Sequence, residues 1–592
     1  MAVAPTDATD DSAAAGESAA DKKDAVAASE PKAAEDQTPK AKDIFMLARQ
    51  QNFPVALKLL EAYPHHWLAT DEDGHSLLHW GSLVGSRDFC RATLAHGVPV
   101  DSVAENKQTP LMWAVLRGHI AVARVLLDSK ANLQTRDSLG ATALMIAIQH
   151  KNYASMLLLM NRGKHAALLG DVDKNGCTPV HWAAYKGDLT ALKLLDYFGA
   201  DMVSLDNSKM LPLHRAVCAS QGQVIEFLLE KRSDPTQRNA DGKTVLDIAG
   251  EQQDNQMQSL LKKLLKKGDP SSTGSKDDFD LEAGDEAKPR KRDSFMKMMM
   301  KAGQDKTAQK AFPVFWMVCV SLAVFEYLMD LRRTSYQVAP TASMLFEVGV
   351  PLSLALFFYV ALADPGKLPT RAKGNSGVEE LMRALDSDLP EDSLPDVSRL
   401  CTTTWVLKDL RTKYCSQTGA CVEEFDHWCV WLNCSIGKKN HRQFIGLAIV
   451  EWATQMVHIY LLWCMTCALV PYQTFGSWLL SVITGYPLLA FMGVIQILTM
   501  PFVLMLIIYQ SRLVSMNLTT NEMMNMSRYE HFKVTVPGSL HKIFRNPFNK
   551  GGAFSNCLDF WWYRKRSVAS TPPELPGCRN AACASGHCRR HG

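Results

Sequence analysis

A tetrapeptide that recurs through the first half of the chain decides its fold: Ser76-Leu-Leu-His79, Thr109-Pro-Leu-Met112, Thr142-Ala-Leu-Met145, Thr178-Pro-Val-His181, Leu211-Pro-Leu-His214 and Thr244-Val-Leu-Asp247. The intervals between their first residues are 33, 33, 36, 33 and 33 residues. A non-repeating helical bundle would not produce such regular intervals. The pattern predicts a solenoid of short helix pairs, in which each unit buries its apolar face against its neighbours.

The period, the Gly turns before several tetrapeptides and the Ala two residues after most of them resemble the ankyrin repeat. A degenerate first unit begins at Asp43, 33 residues before Ser76, and would cap the stack. We therefore predict seven units over residues 43–265. Ankyrin stacks offer a concave surface to extended peptide segments, so the resemblance implies that this region binds protein partners.

Four apolar stretches follow the repeats, at residues 311–329, 342–363, 444–470 and 488–509. Each has at least 19 residues, and about 20 residues in a helix cross a bilayer. We predict transmembrane helices 1 and 2 within 311–363 and helices 3 and 4 within 444–509. An ion channel is disfavoured because the sequence has no pore-like loop and no ring of intramembrane charges.

The distribution of charge predicts the orientation in the membrane. Lys and Arg are concentrated in residues 288–310, before the first apolar stretch, whereas 471–487 carries no charge. By the positive-inside tendency, the repeats, the 364–443 loop and residues 510–565 lie in the cytosol. Three acids, Glu326, Glu347 and Glu451, fall inside the apolar stretches but close to their ends. We expect these side chains to reach the membrane interface.

The remaining segments are predicted to lack a core. Residues 1–42 have almost no aromatic or β-branched content and are predicted to be a disordered arm. Residues 266–310 form a charged linker, and 566–592 form a flexible tail. The formal net charge of +3 on 592 residues gives no reason to expect a nucleic-acid partner.

The loop at 364–443 contains Asp426-His-Trp-Cys429, which places an acid, a base and a nucleophile within four residues. An imidazole can deprotonate the thiol, and a carboxylate can orient the imidazole. A thiolate is well suited to attack a thioester and form a new one. The neighbouring bilayer can accommodate a long acyl chain, so this segment predicts acyl transfer.

Four further motifs surround this tetrapeptide: Asp364-Pro-Gly366, Asn440-His441, Thr519-Thr-Asn-Glu522, and Asn546-Pro-Phe548 with Asn556. Together they resemble the DHHC protein S-acyltransferases over residues 43–562. The repeats make the chain similar to the huntingtin-interacting and yeast ankyrin-containing members. The resemblance implies an all-α protein: an ankyrin solenoid, then a four-helix transmembrane domain with a small cytosolic cysteine-rich domain at about 399–443.

The resemblance also implies the activity. A palmitoyl-type group would pass from acyl-CoA (palmitoyl-CoA) to Cys429, and then to cysteines of protein substrates recruited by the repeats. His427 would be the general base and Asp426 its orienting carboxylate, with Thr520 hydrogen-bonded near Asp426. The other supporting residues would be Thr519, Glu522, Asn440 and Asn556. Such a multi-pass protein is expected in endomembranes, in the Golgi or the endoplasmic reticulum.

The sequence departs from the family at the zinc-ligand positions. Trp428 replaces the second His of the signature, Thr404 and Thr418 replace Cys, and Tyr414 replaces His. Cys401 and Cys421 would remain in one site. The other would keep Cys415 and Cys434, although the spacing places Ser435 in the usual Cys register and Cys434 one position early. Two ligands cannot close a tetrahedral zinc site, so we expect no family-type zinc pair and no other metal.

Aromatic packing by Trp405, Phe425, Trp428 and Trp431 is expected to take over the structural role of zinc. The lost ligands also motivate a rival hypothesis, a non-catalytic ankyrin-repeat membrane adaptor. The joint retention of Asp426, His427 and Cys429 favours the enzyme.

Overall fold

The computed structural model describes residues 41–267, 306–372, 374–388, 394–472, 474–535 and 542–562. Nearly all of the predicted arm at 1–42, most of the predicted linker at 266–310 and the predicted tail at 566–592 lie outside these ranges.

Residues 41–267 form a solenoid of seven helix pairs with one extra helix. The helices are α1 (Ala41–Arg49), α2 (Phe53–Ala62), α3 (Leu77–Val84), α4 (Arg87–Ala95), α5 (Pro110–Arg117), α6 (Ile120–Asp128), α7 (Ala143–Gln149), α8 (Tyr153–Arg162), α9 (His165–Gly170), α10 (Pro179–Tyr185), α11 (Leu189–Phe198), α12 (Pro212–Cys218), α13 (Gly222–Glu230), α14 (Val245–Glu251) and α15 (Asn255–Lys267). The extra helix α9 accounts for the single interval of 36 residues.

The tetrapeptide fixes both the start of a helix and its contact with the next unit. Thr178 caps α10, and its backbone N–H donates to His181 Nδ1 at 3.1 Å. The other nitrogen of that ring, Nε2, bonds Met210 O in the following unit at 3.0 Å. His79 repeats the arrangement, reaching Gln108 O at 3.0 Å. Where the fourth position of the tetrapeptide is His, its side chain therefore connects successive units.

The second half of the chain contains α16 (Lys306–Glu326), α17 (Arg332–Val338), α18 (Pro340–Leu362), α19 (Gly377–Asp386), α20 (His441–Leu469), α21 (Phe475–Gly485), α22 (Pro487–Met516), α23 (Thr520–Asn525) and α24 (Ala553–Trp561). A π-helical turn at Tyr327–Leu331 joins α16 to α17. Four helices are long and apolar enough to cross a membrane, at Ala311–Met329, Pro340–Leu362, His441–Leu469 and Pro487–Met516. The predicted fold class, a helical solenoid followed by four such helices, is confirmed. Helix α21 occupies most of the uncharged 471–487 segment between the last two of these helices.

Eight short strands complete the described residues as four antiparallel hairpins. They are β1 (Leu400–Cys401) with β2 (Val406–Leu407), β3 (Lys413–Cys415) with β4 (Ala420–Val422), β5 (His427–Cys429) with β6 (Cys434–Ile436), and β7 (Lys533–Thr535) with β8 (Lys542–Phe544). The first three hairpins form the small cysteine-rich domain between α18 and α20.

Helix α19 fastens this small domain to the solenoid. Its apolar face, which includes Val378, Leu381 and Leu385, is buried in the same core as the solenoid helices. At the end of α8, Arg162 Nε donates to Asp386 Oδ1 at 2.6 Å. The helix and the solenoid therefore share one apolar core, which ties the two parts of the chain together.

The β1–β2 hairpin is joined to the same interface. The Trp405 ring packs 4.5 Å from the Tyr197 ring of α11, and Gly377 N–H donates to Trp405 O at 2.7 Å. Leu400 is buried in the shared core.

Candidate active site

The β5–β6 hairpin holds the predicted nucleophile. Cys429 lies opposite Cys434 in this hairpin, and its side chain is buried against Phe357 and Val360 of α18. Asp426 precedes the first strand, and its N–H donates to Ile436 O at 2.9 Å. The turn thus presents Asp426, His427 and Cys429 together at the membrane end of the small domain.

Asp426 is fully buried and receives hydrogen bonds from several sides. Thr520 donates to its carboxylate twice, from the backbone N–H at 2.7 Å and from Oγ1 at 2.9 Å. Gln510 Nε2 of α22 donates at 3.2 Å, and His427 Nδ1 lies 2.6 Å from Oδ2. Burial raises the pKa of Asp426, but His441, His427 and the Thr520 N–H outweigh it and hold this pKa well below the ordinary value. Asp426 is therefore a fixed anion.

His427 links this anion to the thiol. Its Nδ1 lies 2.6 Å from Asp426 Oδ2, and the Cys429 thiol lies close enough to act on the pKa of the ring. Burial lowers the pKa of His427, but Asp426 and Cys429 raise it to about 10. An imidazole of this kind takes a proton readily, and the resulting cation lies between two partners that stabilise it. The Phe444 ring, 5.2 Å from the His427 ring, fixes its position.

The Thr519–Glu522 motif is built around a buried ion pair. Thr519 caps α23, and Glu522 Oε2 accepts from the Thr519 N–H at 2.9 Å. Both Glu522 oxygens also accept from Arg411, from Nε and Nη2, each at 2.7 Å. Arg411 makes two more bonds to Asn517, at the end of α22. This pair holds α23 where Thr520 meets Asp426.

The two predicted supporting asparagines are structural ties. Asn440 accepts from the Gly437 N–H at 2.9 Å and donates to Ser435 O at 3.0 Å, which fixes the β5–β6 hairpin to the start of α20. Asn556 donates to Ser515 O at 2.8 Å and joins α24 to the end of α22. Both side chains are buried and away from the thiol, so they position elements and do not face the reaction.

The predicted zinc-ligand positions form two small hydrogen-bonded clusters. In the first, Thr404 Oγ1 lies 3.2 Å from Cys421 Sγ, and a hydrogen bond from Cys421 lowers the pKa of the Cys401 thiol. In the second, Ser435 Oγ lies 3.3 Å from Cys415 Sγ and contacts Thr418 Oγ1. Thr404 in the first cluster, and Thr418 and Ser435 in the second, thus place hydroxyl groups where the family has thiol ligands.

These donors do not fit a structural zinc ion, which needs four N or S ligands. Among the described residues, three or more ligand atoms of His, Cys, Asp or Glu converge only at Asp71, Asp73 and His75, in the solenoid.

The structure corrects the predictions for two residues of the cysteine-rich domain, Cys434 and Trp431. Cys434 does not belong to the second cluster, because neighbouring residues of β6 point to opposite faces. Its thiol donates to Val360 O at 3.6 Å, and Ser435 faces Cys415 in its place. Trp431 is 38% exposed and contacts Phe312 of α16. Trp405 and Phe425 do pack as expected.

A cavity of about 1200 Å³ opens beside the thiol. Its wall includes residues 413–417 of the cysteine-rich domain and Asn521 of α23, passes Asp426, His427 and Cys429, and continues between α16, α18, α20 and α22. Trp316 stacks on Phe357 at 4.2 Å and forms part of its apolar wall. The nucleophile therefore lies in the wall of a chamber that extends from the cysteine-rich domain into the space among the four apolar helices.

Comparison with known proteins agrees with this geometry. A family described as DHHC palmitoyltransferase matches residues 395–527, and ankyrin repeats match 44–137, 78–168 and 129–206. The chain therefore carries a DHHC palmitoyltransferase domain together with ankyrin repeats.

Three relatives illustrate the breadth of the resemblance. Palmitoyltransferase ZDHHC17 of Danio rerio is 26% identical over 534 residues, 83% of each chain. Palmitoyltransferase Hip14 of Drosophila melanogaster is 25% identical over 567 residues, which are 87% of this chain and 85% of the relative. Palmitoyltransferase AKR1 of Lachancea kluyveri is 26% identical over 422 residues, which are 63% of this chain and 56% of the relative.

Gln510 and Arg411 also belong to the site, although neither was among the predicted site residues. Gln510 connects Asp426, Thr520 and His441, with Nε2 to Thr520 Oγ1 at 3.1 Å and Oε1 to His441 at 3.0 Å. Gln510 directly follows the apolar stretch 488–509, and an amide at that position gives no clear signal in the sequence. Arg411 could not be identified from the sequence, because a buried Arg in a loop cannot be distinguished there from an exposed one.

The expectation for Glu451 was wrong. Its side chain does not turn towards the interface but lines the chamber, where Trp316 Nε1 donates to it at 3.3 Å. Glu347, in contrast, pairs with Arg332 at 2.8 Å beyond the first apolar helix.

Proposed function

We propose that this chain is a protein S-acyltransferase that carries a fatty acyl group as a thioester on Cys429. The observation that carries the proposal is the grouping of Asp426, His427 and Cys429 in the wall of a chamber of about 1200 Å³ that extends among four apolar helices. A long acyl chain needs such a chamber, and its thioester carbon would then lie at the thiol. A non-catalytic adaptor would have no need for this arrangement.

The first step is attack by the Cys429 thiolate on the carbonyl carbon of acyl-CoA. The new carbon–sulfur bond forms as the bond to the CoA sulfur breaks, and CoA leaves as a thiolate that takes up a proton. His427 accepts the Cys429 proton beforehand and can return it to the leaving sulfur. Asp426 keeps the imidazole oriented and compensates its positive charge.

The second step reverses these roles. A substrate cysteine loses its proton and attacks the acyl carbon, and the Cys429 thiolate leaves. Exchange of one thioester for another is nearly balanced in energy, so the direction depends on the concentrations of acyl-CoA and of substrate. Water must be kept away from the thioester, and the burial of Cys429 against Phe357 and Val360 serves this purpose.

The solenoid is proposed to recruit the protein substrates, with the repeats and the active site in the cytosol. The basic residues before the first apolar helix support this orientation. The shared core of α19 and the solenoid supports delivery at a fixed distance from Cys429. Residence in Golgi or endoplasmic reticulum membranes is proposed from the resemblance to the ankyrin-repeat acyltransferases.

The test is acyl labelling of the purified full chain in detergent or nanodiscs with radiolabelled palmitoyl-CoA. Cys429→Ser should abolish hydroxylamine-sensitive labelling. Cys434→Ser is the matched control, because Cys434 lies opposite Cys429 in the same hairpin and should leave labelling intact. Equal labelling of the parent and Cys429→Ser would refute the mechanism.

A further inference from the structure

The part of the chamber farthest from Cys429 is polar. Gln455 and His458 of α20 and Gln496 of α22 line it, and the first two are 8% and 2% exposed. We call these three residues the polar end. A saturated alkyl chain has no group that can satisfy a buried amide or imidazole, and leaving such groups unpaired is costly. A chamber built only for palmitate would not place them here.

The hydrogen bonds of the polar end leave one donor and two acceptors open. Gln496 Nε2 donates to His458 Nδ1 at 3.3 Å, so the ring proton is on Nε2, which has no partner among the described residues. Gln455 Nε2 donates to Glu451 Oε1 at 3.2 Å, and Gln455 Oε1 and Gln496 Oε1 stay unpaired there as well. Phe346 stacks on the His458 ring at 4.8 Å and fixes its orientation.

An open donor beside open amide oxygens matches a hydroxyl group. A hydroxyl can accept from His458 Nε2–H and at the same time donate to the oxygen of Gln455 or Gln496.

The distance from the thiol to the polar end can be measured along two helices. On α20, Phe444 lies beside the His427 ring, and His458 follows 14 residues later. On α22, Gln510 bonds Asp426, and Gln496 precedes it by 14 residues. At about 1.5 Å per residue, both paths give about 21 Å.

An extended acyl chain advances about 1.25 Å per carbon, from a C–C bond of about 1.5 Å. A chain of about 16 carbons therefore ends at the polar end.

We propose that the polar end binds a hydroxyl group at or near the last carbon of a long acyl chain, so that the enzyme prefers an ω-hydroxylated fatty acyl-CoA to plain palmitoyl-CoA. This inference rests on the proposed function, since the chain reaches the polar end only when its thioester lies at Cys429. Between the two ends, Trp316, Phe357 and Leu447 would contact the methylene groups, and Glu451 in the same wall is hydrogen-bonded to Trp316 and Gln455.

The test compares initial rates of Cys429 acylation by 16-hydroxypalmitoyl-CoA, palmitoyl-CoA and lauroyl-CoA in the parent protein. We expect the hydroxylated chain to react five- to tenfold faster than palmitoyl, the effect of about one hydrogen bond. His458→Leu and Gln496→Leu should each remove most of this preference. Ile495→Leu, a change of similar volume at the neighbouring lining position, should preserve it.

The outcomes of this comparison distinguish failure of the inference from failure of the proposed function. Equal or faster reaction of palmitoyl-CoA in the parent overturns the inference while leaving the acyltransferase intact. Fastest reaction of lauroyl-CoA also overturns it, because the polar end would then retain water and exclude longer chains. No acylation of Cys429 by any of the three donors would refute the proposed function itself. The parent comparison requires no variant, so a misfolded variant does not prevent the test.

Discussion

The buried pair of Arg411 and Glu522 offers a sharp test of how the active site is held together. Glu522→Gln preserves the size of the side chain but removes its charge, and it leaves the buried Arg411 guanidinium without its hydrogen-bonded carboxylate. Both side chains are less than a tenth exposed, and two bonds of 2.7 Å join them. Breaking a buried pair in this way costs about 3–5 kcal/mol.

This loss of stability should appear as local opening of the cysteine-rich domain. Arg411 lies just before β3, and Cys421 on the paired strand β4 is fully buried. The rate at which Cys421 is alkylated reports the population of the open domain when opening and closing are fast. At 1.4 kcal/mol per tenfold, a loss of about 3 kcal/mol predicts about 150-fold faster alkylation, measured by mass spectrometry of the Cys421 peptide.

The double variant Arg411→Leu with Glu522→Leu is the matched control. Apolar replacement of a whole buried pair is often neutral, so its alkylation rate should return close to the parental value. Cys90, buried in the solenoid, should react slowly in every variant. The reasoning would be refuted if Glu522→Gln protected Cys421 as well as the parent does, or if the double variant opened as readily as the single one.

Further predictions concern the interface, the pH response and the metal content. Leu381→Asp places a carboxylate in the core shared by α19 and the solenoid. It should lower the free energy of unfolding by more than about 3 kcal/mol and make α19 susceptible to limited proteolysis. The control Leu139→Asp, at a solenoid position that is 70% exposed, should have neither effect. Because the pKa of His427 is raised from 6.5 to about 10, its stabilisation is complete below pH 6.5 and is lost as pH rises through 10. The unfolding temperature should therefore fall from pH 7 to pH 10, and His427→Gln should flatten the fall; parallel curves would contradict the assignment. Metal analysis should find less than one zinc per chain, and chelator treatment should leave Cys429 acylation unchanged; two tightly bound zinc ions would show that the clusters were misjudged.

The solenoid and the 426–429 segment could be predicted because both depend on local order in the sequence. A period of 33 residues can be read from six tetrapeptides, and the connection between units made by His79 and His181 explains the period physically. The contact between Thr520 and Asp426 was expected from the resemblance, and the structure contains it at 2.7 and 2.9 Å.

The remaining features depend on contacts between distant segments. The sequence of α19, a ten-residue amphipathic helix, indicates that one of its faces is buried. It does not indicate which part of the chain covers that face. Glu451 was misjudged because its position along α20 was considered and its direction around the helix was not. Cys434 was assigned to the second site because it is the nearest thiol, although the spacing puts Ser435 in the Cys register. The alternation of a β-strand makes Ser435, and not Cys434, the residue that faces Cys415.

The central claim is that the acyl group passes through Cys429, and a pulse-chase experiment tests it most directly. The full chain is loaded with radiolabelled palmitoyl-CoA, freed of the donor, and mixed with a cysteine-containing acceptor protein. The account predicts that label on the Cys429 peptide disappears at the rate at which an equal amount appears on the acceptor. It would be contradicted by label that stays on Cys429 while the acceptor, supplied again with palmitoyl-CoA, is acylated at the normal rate.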